Sequence, residues 1–272
     1  MAEYPHILAD NLIEDATVSF ADGLGNGLSE DQVYRMAHLA DRSRLSKWQG
    51  DSSAATQRII WSFTGGPKQI DTFVLDKNFD LTGDSPTVTL QYADSGAGPW
   101  TTAKKSNGTD DVVLADLKSD SIYWVALSPQ AKQHWSLLMQ GLSNMERPPS
   151  IFNLWLGKRI ELTFGPTGVF DPYEEETVGE NVHGAAGGFQ RVHRYRRRVL
   201  RANFDNLTDS QYSLIDQWWQ QAGREGKNWW WLTWPVSQPG DPLYLNCEGG
   251  GKRFGLYRGT TRSGTIEAWE VK

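Results

Sequence analysis

The side chains of this sequence that could do chemistry are scattered. His6, His38, His134, His183 and His193 form no His-x-x-x-His or His-x-His pair, so spacing alone brings no two imidazoles onto one helix or strand face, as a zinc site would need. The glycines of Cys247-Glu-Gly-Gly-Gly-Lys252 are not followed by Ser or Thr. A phosphate-cradling loop needs that hydroxyl and a strand-to-helix context, so a hairpin turn explains the run. No Gly-x-Ser-x-Gly elbow presents a nucleophilic serine. Glu174-Glu-Glu176 is a run of like charges that repel and favour water rather than a spaced acid/base pair. The residues therefore predict no catalytic, cofactor-binding or metal-binding site, and a protein that is not an enzyme.

Two local features remain. Arg191, Arg194, Arg196, Arg197, Arg198 and Arg201 crowd one segment just after Glu174, Glu175, Glu176 and Glu180. A basic strand can contact nucleic acid or an acidic partner. The chain is acidic overall, with a formal net charge of −6, so nucleic acid is the weaker reading. Pairing of the arginines with the acidic segment, within the chain or across to a neighbouring subunit, is preferred. The second feature is tryptophan, with 13 in the chain. On a strand at 228–234, Trp229, Trp231 and Thr233 face one way and Trp230, Leu232 and Trp234 the other. Both faces are large and apolar, so the strand should be buried on both sides, on one by a helix carrying Ile215, Trp218 and Trp219. Trp is also enriched in protein–protein interface cores; a sugar-stacking platform is the alternative. The candidate subunit-interface residues are Glu174, Glu175, Glu176, Arg194, Arg196, Arg197, Arg198, Trp230 and Trp234.

The elements that would position these residues are mostly strands. Arg58–Phe63, Ile70–Leu75, Thr87–Tyr92, Asp111–Ala115, Ser121–Leu127 and His134–Met139 are short, apolar or alternating, and separated by turn clusters. They suggest an antiparallel sandwich. Arg147-Pro-Pro149 marks a joint, giving domains 1–145 and 146–272. The second opens on the alternating strand Lys158–Phe164. A Gly-rich, acidic loop or arm over 171–190 and the basic strand follow. A helix over 209–222 is capped by Thr208, with Gln211 completing a capping box and Gly223 as the C-terminal glycine. Strands at 228–234, 243–246, 253–258 and 265–271 close the chain. One cysteine rules out an internal disulfide framework. The start, Met1-Ala-Glu-Tyr-Pro5, lacks a basic, then apolar leader, and no apolar run approaches the ~20 residues of a membrane span. No secretion and no membrane insertion are expected.

Residues 36–140 resemble the discoidin-like (galactose-binding-like) jelly-roll family. The resemblance rests on Ala37-His-Leu-Ala-Asp41, Ser46-Lys-Trp48, the strand Arg58–Phe63, Pro67–Leu75, the hairpin Tyr92-Ala-Asp-Ser-Gly-Ala-Gly-Pro-Trp100 and Tyr123-Trp124. The family's terminal cysteine pair is missing, which suits a non-secreted member. Its sugar-binding residues lie on variable loops and none is carried over. Residues 150–272 resemble distal-tail or minor-tail proteins of long-tailed bacteriophages. The order is an alternating strand, a charged arm, a basic strand ending in Phe204, a capped helix with Trp218-Trp219, an aromatic strand, and the closing Gly255-Leu-Tyr-Arg258 and Ile266–Val271. Together these imply a mostly β chain, a discoidin-like jelly-roll β-sandwich followed by a second β-rich domain with one packed α-helix. They also imply a structural virion protein made in the host cytoplasm, assembling at the tail tip with itself in a ring and with other phage tail proteins. The alternatives are a carbohydrate-binding module that holds a host-surface glycan, and a hydrolase of cell-wall glycans.

Overall fold

Apolar residues of the strands, alternating in several of them, build two separate cores in the computed structural model. The structure describes residues 3–22, 36–39, 41–51, 54–77, 79, 86–115, 122–142, 148–183, 189–257 and 261–271. They fall into two units, Asp10–Arg159 on the one hand, and Met1–Ala9 with Ile160–Lys272 on the other. The architecture is mostly β, with a single α-helix among the described residues.

The first strand, β1 (His6–Leu8), belongs to the second unit. Asp10–Arg159 is a sandwich of two antiparallel sheets. One sheet runs β2 (Ala16–Asp22), β4 (Gln57–Phe63), β10 (His134–Gln140), β6 (Thr87–Ala93), β7 (Thr101–Thr102), with β8 (Val113–Leu114) also on β6. The other runs β3 (Trp48–Gln49), β11 (Ser150–Gly157), β5 (Lys68–Lys77), β9 (Ile122–Lys132). The inward rows are those the alternation predicts. Ile59, Trp61 and Phe63 of β4, Trp135, Leu137 and Met139 of β10, and Val88 and Leu90 of β6 share one core with Phe73 and Leu75 of β5. Trp61 and Trp135 stand opposite each other in the ladder.

The domain joint differs from the expectation of domains 1–145 and 146–272. Residues 143–147 lie outside the described residues, but β11 beyond Pro148-Pro149 pairs with β5 and β3 and puts Ile151, Leu154 and Leu156 into the first core. The prolines mark a turn within the sandwich. The units divide after Arg159, which is fastened to the sandwich by its side chain: Nη1 donates to the Asp71 carbonyl at 2.6 Å, and its own N–H donates to Asp71 Oδ1 at 2.9 Å.

The second unit is one seven-stranded antiparallel sheet, ordered β12 (Ile160–Glu161), β1, β15 (Trp229–Leu232), β16 (Leu243–Tyr257), β17 (Thr261–Glu270), β14 (Phe189–Leu207), β13 (Glu175–His183). The expected strand Lys158–Phe164 shortens to β12, yet Ile160, Leu162 and Phe164 are all buried in the second core. The helix α1 (Asp209–Gln221) carries the expected capping box: Gln211 N–H donates to Thr208 Oγ1 at 3.3 Å and Thr208 N–H to Gln211 Oε1 at 2.9 Å. Gly223 is not the left-handed cap; that is Gly226, with φ of 65° after a short 3₁₀ turn. Gly223 is small because a Cβ there would lie 2.5 Å from the Trp219 ring.

Candidate functional site

The segment 171–190, expected as a loop or arm, supplies β13. Glu175 stands opposite Arg198 and Glu176 opposite Arg197. Cross-strand opposite charges stabilise such a pair, which is how a segment so poor in apolar residues becomes a strand. The expected Glu–Arg pairing is therefore within the chain. Glu174 bonds to Arg201, which also reaches Glu267 at 3.1 Å. Arg196 lies 3.8 Å from Glu175 and Arg197 3.9 Å from Glu176. Arg197 also covers the Trp269 ring, whose indole N–H donates to Glu176 at 3.0 Å. Arg198 is held by Asp241 and Glu270, each at 2.8 Å. Burial works against its charge, but those bonds outweigh it and raise its pKa. Arg194 and Arg196 are exposed.

The two tryptophans placed with this group part company. Trp230 is fully buried, its ring 4.5 Å from Tyr244, so it is not a subunit-interface residue. Trp234 is half-buried beside Tyr173, whose hydroxyl donates to Gln238 at 2.6 Å. The strand β15 is buried throughout, as expected, and Trp229 meets the helix through Trp218 at 4.9 Å. Cys247 lies in the same core, its thiol pushed up to about 11 by burial.

A second cluster, absent from the sequence reading, lies on the outward face of the sandwich. Ladder register sets it. In β4, the residues between the core positions are Arg58, Ile60 and Ser62, opposite Leu138, Ser136 and His134 of β10. These in turn face Thr89, Gln91 and Ala93 of β6, and Gln91 faces Thr102 of β7. Ser136 is fully buried although it is on this outer row. Arg58 reaches across to donate to its hydroxyl at 3.3 Å, and the guanidinium lies 4.9 Å over the ring of half-buried Trp100, two residues before Thr102. Gln91 Oε1 is buried with no hydrogen-bond partner. Farther along the same face Ser62 and His134 are bonded at 2.9 Å. The arrangement offers a planar aromatic surface, a cationic fork, a hydroxyl and an unsatisfied amide acceptor on one rigid sheet.

Among the described residues no group of three or more His, Cys, Asp and Glu could hold a metal ion. No helix is long and apolar enough to cross a membrane. No protein-family model matches the chain. No curated protein matches it either. Among solved structures it is similar to chitosan-binding module 1 of a chitosanase/glucanase from Paenibacillus sp. IK-5, at 14% identity over 54% of this chain and 98% of that one, with a TM-score of 0.43. Module 2 of the same protein, in complex with chitotriose, gives 14% identity over 54% and 100%, and a TM-score of 0.42. A CBM32 module from Clostridium perfringens, in complex with GlcNAc-α-1,4-galactose, gives 14% over 54% and 92%, and 0.38. Likeness at this level does not say what this chain binds.

Proposed function

We propose that the chain is a carbohydrate-binding protein that receives a saccharide on the outer face of the sandwich, against Trp100. In this reading it binds and does not catalyse. One observation carries the proposal: Arg58, Gln91, Trp100 and Ser136, from four strands or strand ends, converge on one face, with the Gln91 carbonyl buried and unpaired. A sugar ring has an apolar C–H face that packs on an indole, and hydroxyls that both donate and accept. A ligand hydroxyl donating to Gln91 Oε1 would remove the cost of that buried acceptor, about 1–3 kcal/mol. Trp100→Ala is expected to abolish binding of an oligosaccharide panel, measured by glycan array and calorimetry, while leaving the melting temperature unchanged, because Trp100 lies outside the core. Absence of binding by the native chain at millimolar oligosaccharide would end this proposal.

A second reading, assembly at a phage tail tip, is favoured by the β13–β14 ribbon. Residues 199–207 of β14 join β17, whereas 189–198 pair with β13 alone among the described residues. A two-stranded ribbon is marginally stable at best in isolation, so this one fits a contact with a neighbouring copy in a ring or with another tail protein. In this reading the chain resides in the virion. Shortening the ribbon by deleting 178–195 is expected to leave a folded monomer and abolish rings in negative-stain microscopy. A native chain that stays monomeric at high concentration and with tail extracts, or rings that survive the deletion, would count against it.

A further inference from the structure

We propose that the site beside Trp100 selects saccharides bearing an anionic substituent, a carboxylate or a sulfate ester, and that Arg58 is the selecting residue. This rests on the carbohydrate reading above and names its ligand class. The argument starts from what surrounds each arginine that is at least half-buried. Arg42 is paired with Glu14. Arg44 has Asp76 at 2.8 Å, and Arg159 has Asp71 at 3.5 Å. Arg197, Arg198 and Arg262 have Glu176, Glu270 and Asp209 within 3.9 Å. Among the half-buried arginines with described side chains, Arg58 is the exception: no carboxylate among the described residues pairs with it. Its contacts are Ser136 Oγ and the face of Trp100.

Among the described residues, the groups around it are neutral. Ala21 of β2 and Leu138 of β10 are its ladder neighbours, with Ile60, Ser136 and Gln91 beyond. Burial lowers its pKa. A partly desolvated charge without a counter-ion is costly, and it persists where a ligand supplies the opposite charge. One of the five guanidinium N–H donors is committed, to a neutral hydroxyl at 3.3 Å. The remaining fork matches the oxygens of a carboxylate or a sulfate ester in pairs. Stacking on the indole fixes the plane of that fork. The sugar body then lies on the exposed part of Trp100, with Gln91 accepting from a ring hydroxyl.

The test uses the full chain and calorimetric titration with three probes: oligogalacturonate, a sulfated galacto-oligosaccharide and its neutral parent, each at low and high salt. Native protein is expected to bind one or both anionic probes roughly tenfold to a hundredfold more tightly than the neutral one, with the preference shrinking as salt rises. Arg58→Gln should remove the preference of anionic over neutral probes; Arg58→Lys should restore part of it. An unchanged melting temperature would show that both variants fold. Whichever anionic probe is preferred identifies the source of the charge. Equal affinity for anionic and neutral probes, or a preference that survives Arg58→Gln, would overturn the selection while leaving the carbohydrate reading standing. Binding of none of the three would overturn both.

Discussion

Replacing Trp218 by Ala is expected to lower the unfolding free energy by about 3–5 kcal/mol. Trp218 has no solvent-exposed surface, and its ring contacts Trp229 at 4.9 Å and Trp219 at 5.8 Å. Removing the indole opens a hole bounded by two other aromatic rings and by Ala222, which is itself fully buried. Rings on a helix and on the central strand β15 cannot both move in to fill it. Trp219, half-buried at the margin of the core, should cost less. Thr208→Ala provides the scale: it removes one capping bond from an exposed helix start and should cost on the order of 1 kcal/mol. Urea unfolding of the three variants gives the order Trp218, Trp219, Thr208. A Trp218 effect no larger than that of the cap would mean that the helix is not held to the sheet by this side chain.

Asn11→Ala should destabilise the sandwich by about 2–6 kcal/mol, since two buried backbone groups lose their partner at about 1–3 kcal/mol each. Asn11 is 1% exposed. Its amide Nδ2 donates to the Leu154 carbonyl at 3.0 Å, and Leu156 N–H donates to its Oδ1 at 3.3 Å. These are the groups a neighbouring strand would satisfy, but β3 pairs β11 only at Ser150 and Ile151. One side chain therefore stands in for a missing piece of strand, and Oδ1 also accepts from Ile13 N–H at 3.4 Å. Asn11→Asp is the sharper test. It keeps size and acceptor but sets an oxygen against the Leu154 carbonyl, so it too should destabilise strongly near neutral pH. Thermal unfolding in which Asn11→Asp matched the native chain would show that the amide donor does not matter.

The sandwich and the helix were legible because their signals are local. The apolar run 58–63 marked a strand, alternation in 87–92 put Val88 and Leu90 inside, and Thr208 with Gln211 marked the start of the helix. The two departures share a cause: what decided them was a partner far along the chain. Pro148-Pro149 announces a turn, but whether the next strand joins the first core or the second depends on β5, more than 70 residues earlier. Residues 175–183 lack the apolar pattern of a strand, and become one because Arg197 and Arg198 stand opposite Glu176 and Glu175. The outer-face cluster was illegible for the same reason. Arg58, Gln91, Trp100 and Ser136 have no shared spacing; ladder register alone makes them neighbours, and only that register shows that no carboxylate among the described residues pairs with Arg58.

The strand β1 carries a consequence for how the chain is made. It lies between the edge strand β12 and β15, second of the seven strands, pairing Ile7 with Ile160 on one side and with Trp231 on the other. Residues His6–Leu8 are therefore late to find their place during synthesis. They emerge ahead of the sandwich, then wait while it is translated and until Trp229–Leu232 has followed. Bringing together segments more than 200 residues apart incurs a large loop-closure cost and slows folding. Prior folding of Asp10–Arg159 reduces that cost, because the pairing of Ile7 with Ile160 requires the two ends of this segment to lie side by side. The sandwich is in effect an insertion within another domain, and its completion acts as the clasp that returns the amino terminus to the sheet it must enter.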